Sequence, residues 1–394
     1  MTATLTTPST GPSTGPSTAG LPGRPRLWNR AFALAVLAGC GSSVSFYLLF
    51  ATVPLYAVSV GADGFGAGLT TGAMMLATVA AELVTPRLLA RFGYRAVFAA
   101  GFLLLGAPAL VLGLSGEMAA ILAVCVVRGL GFAVVAVLGG ALVAQAVPAE
   151  RRGEGLGVYG VICGIPSMAA MPLGVWLTES IGYAPVFAAG GVAALAGLAA
   201  VGGLPGRRPV PEEPLGVLAT LRRPALVRPS IMFAASTVAA GVVATFLPLA
   251  VQGAAVALLA QSVATTLARW WAGRFGDRHG SDRLMLPGLL AAAAGMLALV
   301  FTAAPALVPA GMVLFGAGFG VLQNASMALM MSGARPADYG AVSALWNIAY
   351  DVGIGVGAMG FGLVIVHTGY PAAFGLTGLL ILSAITVRSR KAQK

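Results

Sequence analysis

The chain runs to 394 residues, with 58% hydrophobic and only 9% charged side chains and a formal net charge of +11. Soluble domains carry about 25% charge, so a mean hydropathy of +0.91 excludes a soluble enzyme, a secreted disulfide scaffold and a disordered protein. The bilayer must be the solvent for most of the chain, which is expected to be an all-α, polytopic membrane protein.

In chain order, residues 1–27 are rich in Thr, Ser, Gly and Pro, with GPST units at Gly11 and Gly15, too polar to bury a core or to serve as a signal sequence. They are expected to form a disordered cytoplasmic tail. Twelve apolar runs follow, near 28–58, 65–85, 96–114, 118–147, 154–178, 184–204, 229–250, 252–273, 284–303, 306–331, 340–366 and 370–388. Each is long enough for a helix to cross about 30 Å of hydrocarbon. This divides the chain into a tail (1–27), a six-helix bundle (28–204), a linker (205–228), a second six-helix bundle (229–388) and a short tail (389–394).

Of the 23 Lys and Arg residues, 21 lie in the two tails or in the loops after even-numbered spans, and the intervening loops hold none. That asymmetry places both termini in the cytoplasm and explains the net charge by topology rather than by nucleic acid. Lysine occurs only at Lys391 and Lys394, and the wealth of Arg, Ala and Gly suits a GC-rich bacterial genome, hence a bacterial cytoplasmic membrane. Cys40, Cys125 and Cys163 lie in apolar runs without metal or redox spacing, and His279 and His367 stand apart, so neither metal nor cofactor is expected.

An internal repeat is legible. Gly93-Tyr94, Gly182-Tyr183 and Gly369-Tyr370 are each followed by Phe four residues after the Tyr, and the last two motifs lie 187 residues apart. The same offset relates Arg91 to Arg278, Gly93 to Gly280 and Gly131-Phe132 to Gly318-Phe319. A six-helix half is thus duplicated, each half hinting at a three-helix unit, as expected of a central site reached alternately from two sides.

The loop Gly273-Arg274-Phe275-Gly276-Asp277-Arg278-His279-Gly280 resembles the GxxxDRxG signature of the major facilitator superfamily. The matching loop from Pro86 keeps Arg91 and Gly93 but carries Ala90 in place of Asp. Arg128-Gly129-Leu130-Gly131-Phe132 and Pro148-Ala149-Glu150-Arg151-Arg152-Gly153 are similar to two further motifs of that family. The resemblance covers residues 28–388, is closest to the twelve-helix drug or metabolite:proton antiporters, and implies two pseudo-symmetric six-helix bundles. It further implies that Asp277 caps the fifth helix near Gly153 and locks an outward-open state, with a weaker latch where Ala90 stands. The stretch Gly160 to Pro166, with Pro172 and Gly174, partly resembles the antiporter signature of the fifth helix and equally describes a small-residue packing face.

Four ionisable residues lie inside spans: Glu82, Arg128, Arg269 and Asp351. Each costs about 2.5–3.5 kcal/mol at mid-membrane and should face a cavity or a partner. Counted from the span ends, Arg128 and Asp351 reach the midplane, so they are candidates for a switchable proton-coupling pair, the alternative being a permanent structural ion pair. Glu82, a further coupling candidate, is expected level with Ser343 or Asn347 and hydrogen-bonded there. Arg269, its mirror at the 187 offset, is expected to pair with Glu154 as a gate between the halves. The cavity candidates are Ser43, Tyr47 and Phe50 in the first span, Arg128 in the fourth, Ser236 and Thr237 in the seventh, Gln323 and Asn324 in the tenth, and Asn347 and Tyr350 in the eleventh.

Few fixed charges line such a cavity, which suits an amphipathic organic solute better than a sugar phosphate. The expectation is a secondary transporter, working as a monomer, that exports drug-like or secondary-metabolite molecules against protons. An importer or a sugar or nutrient exporter is the alternative. A membrane enzyme lacks an HExxH or paired-carboxylate signature here, and a nucleotide-driven pump lacks its GxxxxGK[ST] loop.

Overall fold

The structure, a computed structural model, describes residues 28–147, 152–203, 223–335 and 338–386. Among them all regular structure is helical, as the bilayer demands of a chain that must satisfy its own backbone. Nine helices are long and apolar enough to cross a membrane among the described residues, two of them doubling back at a glycine, and the more polar Ala254–His279 lies beside them. The result is twelve legs: α1 (Arg30–Ser59), α2 (64–92), α3 (94–111), α4 (Met118–Ala146), α5 (Arg152–Ile181), α6 (Tyr183–Val201), α7 (Pro224–Ala250), α8 (Ala254–His279), α9 (Asp282–Ala298), α10 (Leu307–Ser332), α11 (339–368) and α12 (370–383). Helix α7 begins five residues before the expected 229, because Pro224 at its first turn needs no hydrogen-bond acceptor for the N–H it lacks. The tails, most of the linker and the loop 148–151 lie outside the described residues.

Local chemistry sets the helix ends. The Asn29 carboxamide oxygen accepts from the Phe32 N–H at 2.8 Å and the Asp63 carboxylate from the Gly66 N–H at 2.7 Å, capping α1 and α2. The turns α2–α3, α5–α6, α8–α9 and α11–α12 each hinge on a glycine with positive φ: 77° at Gly93, 82° at Gly182, 89° at Gly280 and 72° at Gly369. A Cβ is strained in that region, so the repeated glycine is the turn itself. These four positions mark the same point of four three-helix units.

The duplication extends to atomic contacts. A Cβ on Gly131 would strike the Leu105 N and Gly101 O atoms of α3, and one on Gly318 would strike Ala292 N and Gly288 O of α9, every pair offset by 187. Phe46 stacks on Phe132 at 3.8 Å between centroids, and Phe233, at the same offset, stacks on Phe319 at 6.5 Å. Glycine at these crossings lets helices meet at backbone distance, the usual source of cohesion where lipid removes the hydrophobic drive.

Between the halves, α2 runs against α11 on the face away from the arginine-rich loops. There Gly68 lies under the Ala358 carbonyl, Gly72 under Met359, and Gly64 beside Ile365 and Gly362. Thr71 of α2 and Thr245 of α7 share a 2.9 Å hydrogen bond, both fully covered. Toward the other face the same helices loosen, and Glu82, Ser343 and Asn347 are partly exposed. The centre is therefore closed from the far face and open toward the arginine-rich one.

Candidate functional site

The polar residues of the centre gather where the halves meet. Tyr47 of α1 faces Tyr350 of α11, and both phenols lie in the fields of Asp351 and Arg269. Asp351 is 6% exposed, and the charge that acts on it is Glu82 across the α2–α11 seam. The cluster thus joins α1 and α2 of one half to α8 and α11 of the other. Glu82 and Asp351, one from each half, thus stand on the two sides of the α2–α11 seam.

Arg128 is placed differently from expectation. It is 1% exposed, and its guanidinium donates from Nη1 to the Leu105 carbonyl and from Nη2 to the Ser45 carbonyl, both at 3.1 Å. It therefore ties α4 to α3 and α1 within one half, and no ion pair joins it to Asp351; among the described residues the ion pairs are those of Asp338 with Arg223 and Arg335. A buried guanidinium needs every donor it can place, and two helix carbonyls lay closer than a carboxylate in the other half. At the 187 offset the second half has Phe315, fully buried, so the arginine is particular to the first.

The cavity candidates separate into two groups. Ser43, Tyr47, Asn347 and Tyr350 are half-buried around the centre, with Phe50 at 7% and Gln323 at 8% exposure behind them. Ser236 and Thr237 are fully buried and do not line the cavity: Ser236 Oγ donates to Phe233 O at 2.7 Å, and Thr237 Oγ1 to Ala234 O at 2.9 Å and Ala349 O at 3.3 Å. Their hydroxyls are spent on helix carbonyls, and Gly353 packs against Thr237 to hold α7 on α11. Asn324 sits 3.3 Å from where a Cβ on Gly273 would be, so it fills the α8–α10 crossing.

Aromatic rings outside the cavity candidates, Phe46, Phe233 and Trp346, pack against Tyr47, Phe50 and Tyr350 around the centre. In the second half, Trp346 stacks on Phe233 at 4.5 Å and donates its Nε1–H to Ser326 Oγ at 2.9 Å, with Tyr350 at 5.8 Å from Trp346. In the first, Phe46 carries Tyr47, Phe50 and Phe132 around it. The signal was available, since Phe46 and Phe233 obey the same 187 offset as Phe132 and Phe319.

At the arginine-rich face the residues of the GxxxDRxG-like loop stand open. Asp277, Arg278 and Arg269 are exposed, and Asp277 makes no ion pair among the described residues. Arg91 rests over the Phe92 ring at 5.2 Å, while Gly93 and Gly280 make the turns. The side chain of Glu154, the expected partner of Arg269, lies outside the described residues. Among the described residues Glu82 makes no hydrogen bond to Ser343 or Asn347. Among the described residues no three His, Cys, Asp or Glu side chains converge as metal ligands would.

One clamp stands outside the bilayer. Asp338, before α11, accepts from Arg223 Nη1 at 2.8 Å and from Arg335 Nε at 3.0 Å. Hydrogen bonds from Arg335 and Arg223 hold its carboxyl below the ordinary carboxylate range, and they cover it within an otherwise open loop.

A duplicated six-helix bundle with a polar centre between its halves is the architecture of a membrane transporter. The Major Facilitator Superfamily profile matches residues 35–358, and again 230–392, so the chain belongs to that family of secondary transporters. Its fold is similar to that of the xylose transporter XylE from E. coli in a partially occluded inward-open conformation, with a TM-score of 0.71 and 16% identity over 93% of this chain and 99% of that one. It is also similar to the nucleoside transporter NupG (TM-score 0.72, 11% identity, 91% and 99% covered) and to a peptide transporter POT in complex with sulfate (0.74, 16%, 94% and 96%). No curated protein sequence matches the chain.

Proposed function

We propose that the protein exports planar, amphipathic small molecules, of the drug or secondary-metabolite kind, in exchange for protons. The observation that carries this reading is the Glu82–Asp351 carboxylate pair, one member in each half, beside a centre walled by Tyr47, Phe50, Trp346 and Tyr350. Aromatic walls take flat apolar solutes, and the phenols offer few but directed polar contacts. In this reading the arginine-rich face is cytoplasmic, residues 28–204 and 229–388 are the two rocking halves, and the described state is the one that collects substrate from inside. Protons entering from the far face would meet the carboxylates only after the α2–α11 seam opens, which links their occupancy to the movement.

The test is dye and antibiotic transport by the full-length protein in vesicles of defined orientation. Everted vesicles with an acidic lumen are expected to accumulate substrate, and an uncoupler to abolish accumulation. Asp351→Asn, at equal membrane level, is expected to lose the proton-driven component because the amide cannot titrate. Undiminished proton-driven accumulation in Asp351→Asn would remove Asp351 from coupling, and accumulation only in right-side-out vesicles would reverse the direction.

A further inference from the structure

One cavity among the described residues lies away from the centre. Helices α8 and α9 both pack on α10 and scarcely on each other, leaving a groove of about 580 Å³ between them that faces the lipid. Its floor is made of small residues, among them Ala264, Ala291, Ala317 and Gly318, and its walls include Leu267, Trp271 and Phe275. From Ala264 to Phe275 the groove follows α8 for roughly 16 Å, the length of an extended acyl segment. Its end at the arginine-rich face is closed by Arg283, the one charged residue of the lining.

Arg283 is exposed and, among the described residues, makes neither an ion pair nor a hydrogen bond. Its neighbours are otherwise engaged. Arg274 lies 3.9 Å over the Trp270 ring, Trp271 stacks on Phe275 and Phe275 on His279, and Asp282 turns its Oδ1 back to within 2.7 Å of where a Cβ on Gly280 would sit. The duplicated half supplies an internal comparison. At the 187 offset, Ala291 and Ala317 correspond to Leu104 and Leu130, and Arg283 to Ala96. The first half therefore has leucine at two positions where the second has alanine, and alanine at the position of Arg283, with Arg95 one residue before it. In the second half the small floor residues and the charge at the mouth occur together.

We infer that this groove is a binding site for an anionic phospholipid of the leaflet at the arginine-rich face, with an acyl chain between α8 and α9 and the phosphate on Arg283. A neutral or zwitterionic lipid would fill the groove equally well but would gain less from an unpaired guanidinium at its end. The occupant would brace α8, which carries Arg269 and the Asp277 loop, against α9.

Trp271, inside the groove, is the probe. The purified full-length protein is placed in phosphatidylcholine vesicles containing brominated phosphatidylglycerol or brominated phosphatidylcholine, and the part of the quenching that Trp271→Phe removes is assigned to Trp271. Brominated phosphatidylglycerol is expected to quench Trp271 at about fivefold lower mole fraction than brominated phosphatidylcholine. Arg283→Ala should abolish that preference and Arg283→Lys should retain most of it. Ala291→Leu with Ala317→Leu, which copies the first half, should protect Trp271 from both lipids. Equal quenching by the two lipids in the unmodified protein would reduce Arg283 to a general interfacial anchor and overturn the site. So would an unchanged preference in Arg283→Ala, which is exposed and can be judged even if the leucine variant does not fold. Loss of the preference in millimolar inorganic phosphate would mean a phosphate site rather than a lipid site, and would overturn it as well.

Discussion

Substituting Gly68 by alanine tests whether the glycine seam is what closes the far face. A Cβ at Gly68 would overlap the Ala358 carbonyl, and backbone on α11 cannot move aside as a flexible side chain would. Overpacking of this kind costs about 1–3 kcal/mol. Alanine also favours the helix over glycine by up to about 1 kcal/mol, but α2 is helical in either state and that gain cancels. The clash exists only while α2 and α11 are pressed together, so the population open to the far face should rise roughly 5- to 150-fold. The reporter is Thr245→Cys, a fully buried position behind the seam, in a background without Cys40, Cys125 and Cys163. A membrane-impermeant thiol reagent applied from the far face should label it faster by that factor after Gly68→Ala. Gly360→Ala, on the facing helix α11 but with nothing within 4 Å of its added Cβ, should leave the rate unchanged. An unaltered rate in well-folded Gly68→Ala protein would refute the argument that backbone contact at this seam sets the closed state.

Arg128→Lys should leave one of the two carbonyls at Leu105 and Ser45 without its donor, lowering stability in detergent by about 1–3 kcal/mol in chemical unfolding, and an unchanged unfolding midpoint would show that the two bonds carry no net weight. The Asp338 clamp should be acid-sensitive. Its carboxyl is held below the ordinary value near 3.8 in the folded protein, so the stability it adds is fully present above that value and is lost as the pH falls further, through the folded-state value. The melting-temperature gap between the unmodified protein and Asp338→Asn should therefore be constant from neutral pH to about pH 5 and shrink below about pH 4. A gap that stays constant down to pH 3 would mean that the carboxylate charge is not what Arg223 and Arg335 recognise.

Composition alone decided that the bilayer is the solvent, and arginine placement decided which loops share a face, because both follow from transfer energies that depend on residue type and not on neighbours. The 187-residue duplication was also legible, down to Gly131 and Gly318 at matching crossings, since a repeated backbone contact demands the same missing Cβ. The turn glycines at 93, 182, 280 and 369 could be placed for a similar reason: positive φ is a property of one residue. Partners were another matter. Depth along a helix brings Arg128 and Asp351 to one level, but it does not say which way either points, and two carbonyls within the first half took the guanidinium. Glu82 was expected beside Ser343 or Asn347 and instead acts on Asp351, and Thr237, polar in sequence, is sealed between α7 and α11. Rotation and crossing of twelve helices settle those contacts. They arise from small differences in packing summed over the bundle, which a linear pattern of polar and apolar residues does not encode.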